Sequence, residues 1–192
     1  MEKRNIKYYD ELHLYLLDDW LVVPSVTQIL HEIFPDKYKN VPQWILNNKA
    51  NYGSLIHETI ELFESGREAE AVMKTDSVYV SEALQQYWNL KEKYNIKVLE
   101  QEKIIAYKNL YAGRFDMIAE IDGLNCLCDI KTTAEVDKEY LSWQLSMYEL
   151  AYGSKFDKLY CIWLPKGGIG KLIEIDRVEK VEEKLKEIGI GE

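Results

Sequence analysis

Asp116, Asp129 and Lys131 have the spacing in this chain that is best suited to chemistry. Asp122-Gly123, set between two runs rich in apolar residues, is the strongest short signal for a two-residue hairpin turn. Such a turn pairs Ile121 with Leu124 and, counting back, Asp116 with Asp129. Directly opposite residues share a face, with Cβ atoms roughly 4.5–5.5 Å apart. Two like charges so placed repel unless a cation sits between them. A hard divalent ion held by carboxylate oxygens, Mg²⁺ or Mn²⁺, meets that need. Lys131 lies two residues after Asp129, so on a strand both point the same way, and the Ile130 backbone carbonyl between them can also reach a metal. Such an ion polarises a phosphoryl oxygen and lowers the pKa of bound water. The lysine can orient that water or stabilise charge developing on phosphorus. The combination suits phosphodiester hydrolysis. The plainer reading is a hairpin with a solvated polar face, where Asp129–Lys131 is an ordinary surface pair. On the metal reading, Asp116→Asn should stabilise the metal-free protein by relieving repulsion.

The hairpin's alternation puts Phe115, Met117, Ala119, Ile121, Leu124, Cys126, Cys128 and Ile130 on one apolar face, which must be core. The other face carries Arg114, Asp116, Glu120, Asn125, Asp129 and Lys131, with Ile118 and Leu127 among them. Around it the elements read as follows. Residues 1–20 mix charges with Leu and Tyr, as a strand or an arm. Ser25, with Gln28 three residues on, forms a capping box for a helix. Residues 43–65 read as one or two helices, with Gly53 as a possible break, and 77–94 as another. Strands follow at about 97–107, 111–121 and 124–132, then a helix over about 137–152 ending at Gly153. Lys158–Leu164 and Lys171–Ile175 read as strands, and about 178–188 as a final helix. The order implies a single α/β domain over 1–192: an arm at 1–23, a core at 24–176 around a mixed sheet, and a C-terminal helix at 177–192.

Composition sets bounds on this reading. No apolar run approaches the roughly 20 residues needed to span a bilayer, so no membrane partner is expected. The three cysteines fit a reducing compartment, hence a cytoplasmic location, and without paired CxxC motifs structural zinc is not expected. A net charge of -9 argues against indiscriminate polyanion binding. It does not exclude a nucleic-acid enzyme, because acids gathered at a metal site are neutralised by the metal.

The spacing resembles the PD-(D/E)XK nuclease superfamily, whose core motif is an acidic residue, a hairpin, and then (D/E)-x-K. Several flanking segments are similar to its RecB-like and phage-type exonuclease branch. Gly113-Arg-Phe-Asp116 resembles that branch's Gly-x-x-Asp, and Asp129-Ile-Lys-Thr-Thr133 its Asp-x-Lys-Thr. Gln144-Leu-Ser-Met-Tyr148 is similar to its Gln-x-x-x-Tyr. Gly53-Ser-Leu-Ile-His-Glu-Thr-Ile-Glu61 resembles its upstream helix, whose histidine often joins the metal shell. Pro24-Ser-Val-Thr27 looks like a segment near the N-terminus of phage and mitochondrial genome-maintenance exonucleases. The resemblance spans roughly residues 24–164. It implies a restriction-endonuclease-like α/β core and a Mg²⁺- or Mn²⁺-dependent DNA exonuclease of recombination or DNA processing, in a bacterial or phage-infected cell. Phe115 replaces the proline of the motif's name, which is common in the superfamily. The cysteine set of the iron–sulfur members is missing, so no cluster is expected. The helicase domains of RecB are missing too, so unwinding would need a partner protein.

The resemblance makes His57 a metal ligand alongside Asp116, Asp129 and the Ile130 carbonyl, with Glu61 one turn on as a water-bridged or supporting group. A half-buried His–Glu pair is the alternative. Gln144 and Tyr148 share a helix face and would position Lys131 or contact DNA phosphate, or else form a polar face with Tyr148 packed on the sheet. Ser25 and Thr27 could grip phosphate at a helix start, although capping alone accounts for them. His13 and His31 have no such context. Scattered lysines, Lys166 and Lys171 among them, read as solvated. An endonuclease or junction resolvase on the same core is the first alternative, and a non-cutting DNA-binding subunit the second.

Overall fold

The turn at Asp122-Gly123 forms as its residue types require. Both residues are left-handed, at φ 49 and 82, and Ile121 lies opposite Leu124. It joins β5 (Tyr111–Ile121) to β6 (Leu124–Lys131). In this computed structural model, residues 5–9, 14–37, 39–74 and 77–191 are described. His13 falls outside them. The hairpin forms the centre of a five-stranded sheet with β4 (Lys97–Tyr107), β7 (Lys158–Trp163) and β8 (Lys171–Glu174), ordered β4-β5-β6-β7-β8. All neighbours are antiparallel except β6 and β7, which are parallel. A parallel pair needs a crossover, and α5 (Lys138–Tyr152) supplies it. The helix starts where the Asp137 side chain accepts from the Tyr140 N–H and ends at Gly153, whose φ of 79 favours glycine.

The crossover changes what the hairpin's second face must do. With α5 and α1 (Val26–Ile33) packed on that side, Ile118 and Leu127 are buried in the same cluster as Leu141 and Leu145. The face read as polar is therefore half core, as expected when helices cover both sides of a sheet. The opposite face packs on α2 (Gln43–Glu64) and α4 (Val78–Lys93), through Met117, Ala119, Ile121, Cys126, Cys128 and Ile130. Phe115 departs from the expected alternation. It joins the α5 side, edge-on to Tyr152 at 6.1 Å, while Met117 stays on the α2 side. The strict two-residue period thus breaks at Asp116. Leu124, placed in the core by pattern, is 40% exposed beside the turn.

Residues 1–23 are more than an arm. β1 (Ile6–Tyr9), β2 (Leu14–Leu17) and β3 (Leu21–Val23) form an antiparallel sheet of their own. Its Tyr15, Leu17 and Val23 pack on Ala112. The Ala112 N–H donates to the Pro24 carbonyl at 3.0 Å, tying this sheet to the start of β5. The Ser25–Gln28 capping box forms in full and starts α1. Gly53 does not break α2, which runs unbroken from Gln43 to Glu64. A Cβ at Gly53 would meet Thr132 Oγ1 at 3.5 Å, an ordinary contact, so the packing of the long helix simply outweighs the roughly 1 kcal/mol helix penalty of one glycine. A short α3 (Glu68–Met73) follows, unforeseen from sequence, and the last helix is α6 (Val181–Glu187). The whole is a mixed α/β arrangement, and among the described residues no helix is long and apolar enough to cross a membrane.

Candidate metal centre

The site lies where β5 and β6 part company. Their ladder runs from the turn to Met117 opposite Cys128 and stops there. The next free donor of β6, the Ile130 N–H, bonds at 2.6 Å to the side chain of Asp116 rather than to backbone. A carboxylate thus completes the ladder at the residue where the alternation of β5 breaks. Asp116 is the better ion for it: burial opposes its charge, but His57, Lys131 and the Ile130 N–H together hold its pKa below the usual aspartate value.

On the other side of β5, Glu102 sits between Gln101, paired with Met117, and Lys103, paired with Phe115, and so lies across from Asp116. Its φ is 49, a left-handed backbone inside a strand, which costs a non-glycine residue of order 1 kcal/mol or more. The carboxylate so aimed forms an ion pair with Arg114, Nε 2.9 Å from Oε2, and places Oε1 3.8 Å from His57 Nδ1. Nothing in the sequence marked Glu102, because a strand rich in Glu and Lys hides it.

His57 comes from α2, and its ring is oriented by backbone. Nε2 lies 3.1 Å from the Ile130 carbonyl. A carbonyl only accepts, so Nε2 carries the proton and Nδ1 faces the carboxylates. Nδ1 is 3.5 Å from Asp116 Oδ1. Ligand atoms of His57, Glu102 and Asp116 all lie within 4.8 Å of one another, a possible metal-binding group. Without metal, burial works against charge on the ring, but Asp116 and the hydrogen bonds to both acids win, raising the His57 pKa to about 10. The Ile130 carbonyl, expected as a ligand, accepts from the histidine and orients it.

Asp129 lines the same cleft but stands outside the three-donor group, with Lys131 Nζ 2.6 Å from its Oδ2 and its side chain only 2% exposed. Glu102 takes the third position in the donor group, and Asp129 answers the lysine. Burial, with Asp116's repulsion added, raises the Asp129 pKa to about 6 against the pull of Lys131. Burial likewise opposes the charge on Lys131, but Asp129 and Asp116 keep it an ammonium.

These groups open into a cleft of about 940 Å³, which Ser25, Thr27, Glu61, Gln144 and Tyr148 also line. Every side chain singled out from sequence therefore reaches one cavity. Their duties differ. Ser25 Oγ accepts from the Gln28 N–H and is spent on capping, while Thr27 is exposed at the rim. Glu61 stands one turn beyond His57 on the α2 wall. Gln144 and Tyr148 are buried on α5, and Gln144 Oε1 has no hydrogen-bond partner among the described residues. Tyr148 packs against the backbone of Gly113, where an added Cβ would come within 2.6 Å of its ring. That approach is the physical reason for glycine three residues before Asp116. Arg114, expected on the same face as Asp116, and Tyr8 and Tyr15, unforeseen from sequence, complete the mouth, with the guanidinium 5.7 Å from the Tyr8 ring centre.

No protein-family model and no curated protein sequence matches the chain. The solved structure of SSO0001 is similar over 70% of both chains, at 16% identity and a TM-score of 0.37, too distant to show a shared fold.

Proposed function

We propose that the chain is a Mg²⁺- or Mn²⁺-dependent DNA nuclease with a PD-(D/E)XK, restriction-endonuclease-like core, acting as an exonuclease in recombination or DNA processing. The observation that carries this reading is the convergence of one imidazole nitrogen and two carboxylates within 4.8 Å, beside a buried aspartate–lysine pair. The donor set fits the metal: carboxylate oxygens suit Mg²⁺ and Mn²⁺, and the imidazole favours the latter. His57, Glu102 and Asp116 would hold the ion, with Asp129 close by.

A divalent ion there supplies a polarised phosphoryl oxygen and an acidified water. The protein's own groups do the rest. The Ile130 carbonyl fixes the His57 tautomer, leaving Nδ1 free to ligate. The Ile130 N–H holds the Asp116 carboxylate in place. Lys131, kept charged by Asp129, offers its ammonium to the equatorial oxygens of the scissile phosphate, where charge grows in the transition state. Arg114, anchored by Glu102, is placed to meet a neighbouring phosphate at the mouth.

End-labelled linear DNA and covalently closed circular DNA, each with Mg²⁺, Mn²⁺ or EDTA, test the reading. Nucleotides should leave the linear substrate with either metal and not with EDTA, while the circle stays intact. Cutting of the circle would make the enzyme an endonuclease. No cutting with any metal would leave a DNA-binding subunit and refute the nuclease reading.

A further inference from the structure

A second cavity, of about 500 Å³, lies next to the metal cleft. Its size is within the range of small-ligand sites. α2 forms one wall with Trp44, Lys49 and Tyr52, and the same helix continues into the cleft with Gly53, Ser54 and His57. Thr132 and Thr133, which directly follow Lys131, form the facing wall, and Lys166 closes the rim. From Trp44 to His57 the helix rises about 20 Å at 1.5 Å per residue.

The charge of the two cavities is opposite. The cleft gathers Glu58, Glu61, Glu102, Asp116 and Asp129. The groove's lining holds Lys49 and Lys166 and no carboxylate. Lys166 is fixed at the rim by the Tyr79 ring, its Nζ 3.5 Å from the ring centre. That contact orients the ammonium and leaves N–H donors for an anion. Trp44 is 65% exposed and belongs to neither core cluster of the large sheet. A large flat ring held open beside two cations, on the rod that leads to a phosphodiester-cleaving site, matches the pattern of single-stranded nucleic-acid recognition.

We propose that this groove binds an unpaired nucleotide of the strand being cut, with the base stacked on Trp44 and the phosphate held by Lys49 and Lys166. The proposal rests on the nuclease reading for the strand's fate, though the binding itself does not. It makes unpaired DNA the preferred substrate, since a base inside a duplex has no free face to offer the tryptophan.

Full-length protein and its Trp44→Ala, Trp44→Phe and Lys166→Ala variants are titrated with fluorescent oligothymidylate and, separately, with a blunt duplex, all in EDTA. Trp44→Ala should weaken oligothymidylate binding by about 5- to 150-fold, the loss typical of one stacked base. Trp44→Phe should keep most of the affinity, Lys166→Ala should reduce it and flatten its salt dependence, and duplex binding should change less than twofold. Mn²⁺ affinity should not change in any variant. Oligothymidylate binding within twofold of wild type for Trp44→Ala overturns the proposal. So does an equal loss on the duplex, or a wild-type protein that binds no single strand. Because nothing is cut in EDTA, these outcomes are independent of whether the nuclease reading holds.

Discussion

Two lysine–carboxylate pairs look almost alike, one between α2 and α4 and one on β6. Lys91 and Glu64 meet at 2.5 Å with side chains 25% and 5% exposed, and Lys131 and Asp129 at 2.6 Å with 24% and 2%. Distance and burial do not tell them apart. Their surroundings do. Glu64 accepts from Lys91 with both oxygens and also from the Tyr87 hydroxyl at 2.9 Å, so its charge is fully answered. Asp129 has one cation, and that cation also serves Asp116. The first pair is closed. The second leaves negative charge over, facing a cleft, in the form a metal or a phosphate-bound ion can use. An excess of acid over its partners marks the site better than burial does.

That contrast breaks most visibly if the two lysines are exchanged in importance. Lys131→Ala should lower cutting by about 10²–10³-fold in the end-labelled assay. Its urea midpoint should fall less than that of Lys91→Ala, because Asp129, whose pKa burial raises to about 6, can take up a proton when its partner is gone. Near wild-type cutting by this variant would dissolve the distinction. Lys91→Ala should do the reverse. It leaves Glu64 buried with only a tyrosine, at a cost of about 3 kcal/mol in urea unfolding, while cutting per folded molecule stays at the wild-type rate.

Asp116→Asn gives a finer test. Repulsion between two aspartates alone would make the substitution stabilising. The Asp116 pKa, however, is lowered on folding, so its charge adds stability that is present above the ordinary value of 3.8 and lost as pH falls below it. The metal-free variant should therefore unfold more easily at pH 7, by about 1–2 kcal/mol, and bind Mn²⁺ more weakly, with high Mn²⁺ restoring part of the cutting. A more stable apo variant would mean that the His57, Lys131 and Ile130 contacts do not outweigh the repulsion.

The smallest effect is in protons. His57 is held protonated up to about pH 10 without metal, and Nδ1 must lose that proton to ligate. Mn²⁺ binding at pH 8 should release about one proton, read as a difference in calorimetric heat between two buffers, and His57→Gln should abolish the release.

Some of this was legible from the amino acids because the signals are local. Asp122-Gly123 needs left-handed φ values and has them; Ser25 and Gln28 satisfy each other within one turn; Gly153 caps α5 from the left-handed region. The hairpin spacing alone brought Asp116, Asp129 and Lys131 together, whereas His57, Glu61, Gln144 and Tyr148 were placed beside them only by the resemblance; all seven line one cleft. Glu102 was beyond reach. Its position depends on a register shift between Val98 and Glu100 and on one left-handed residue in β4, neither of which alternation encodes. The same holds for Phe115, whose change of face comes with the parting of two strands and not with its own type. At 6–23 a strand or an arm was read but not three paired strands, because their apolar contacts are with β4 and β5, about a hundred residues away.

The parallel seam between β6 and β7 has a consequence for fragments of this chain. Asp129 is paired with Cys161 and Lys131 with Trp163 across that seam. A polypeptide ending at Gly153 would still contain the histidine, the three acids and the lysine, yet β6 would become an edge strand whose Leu127 and Ile130 lose their neighbours. Bare apolar edges recruit other chains, so such a piece is expected to aggregate rather than to fold around an ion. Limited proteolysis in the Gly153–Asp157 loop should thus yield two fragments that stay together under native conditions and cannot be re-formed into a functional pair from the larger one alone.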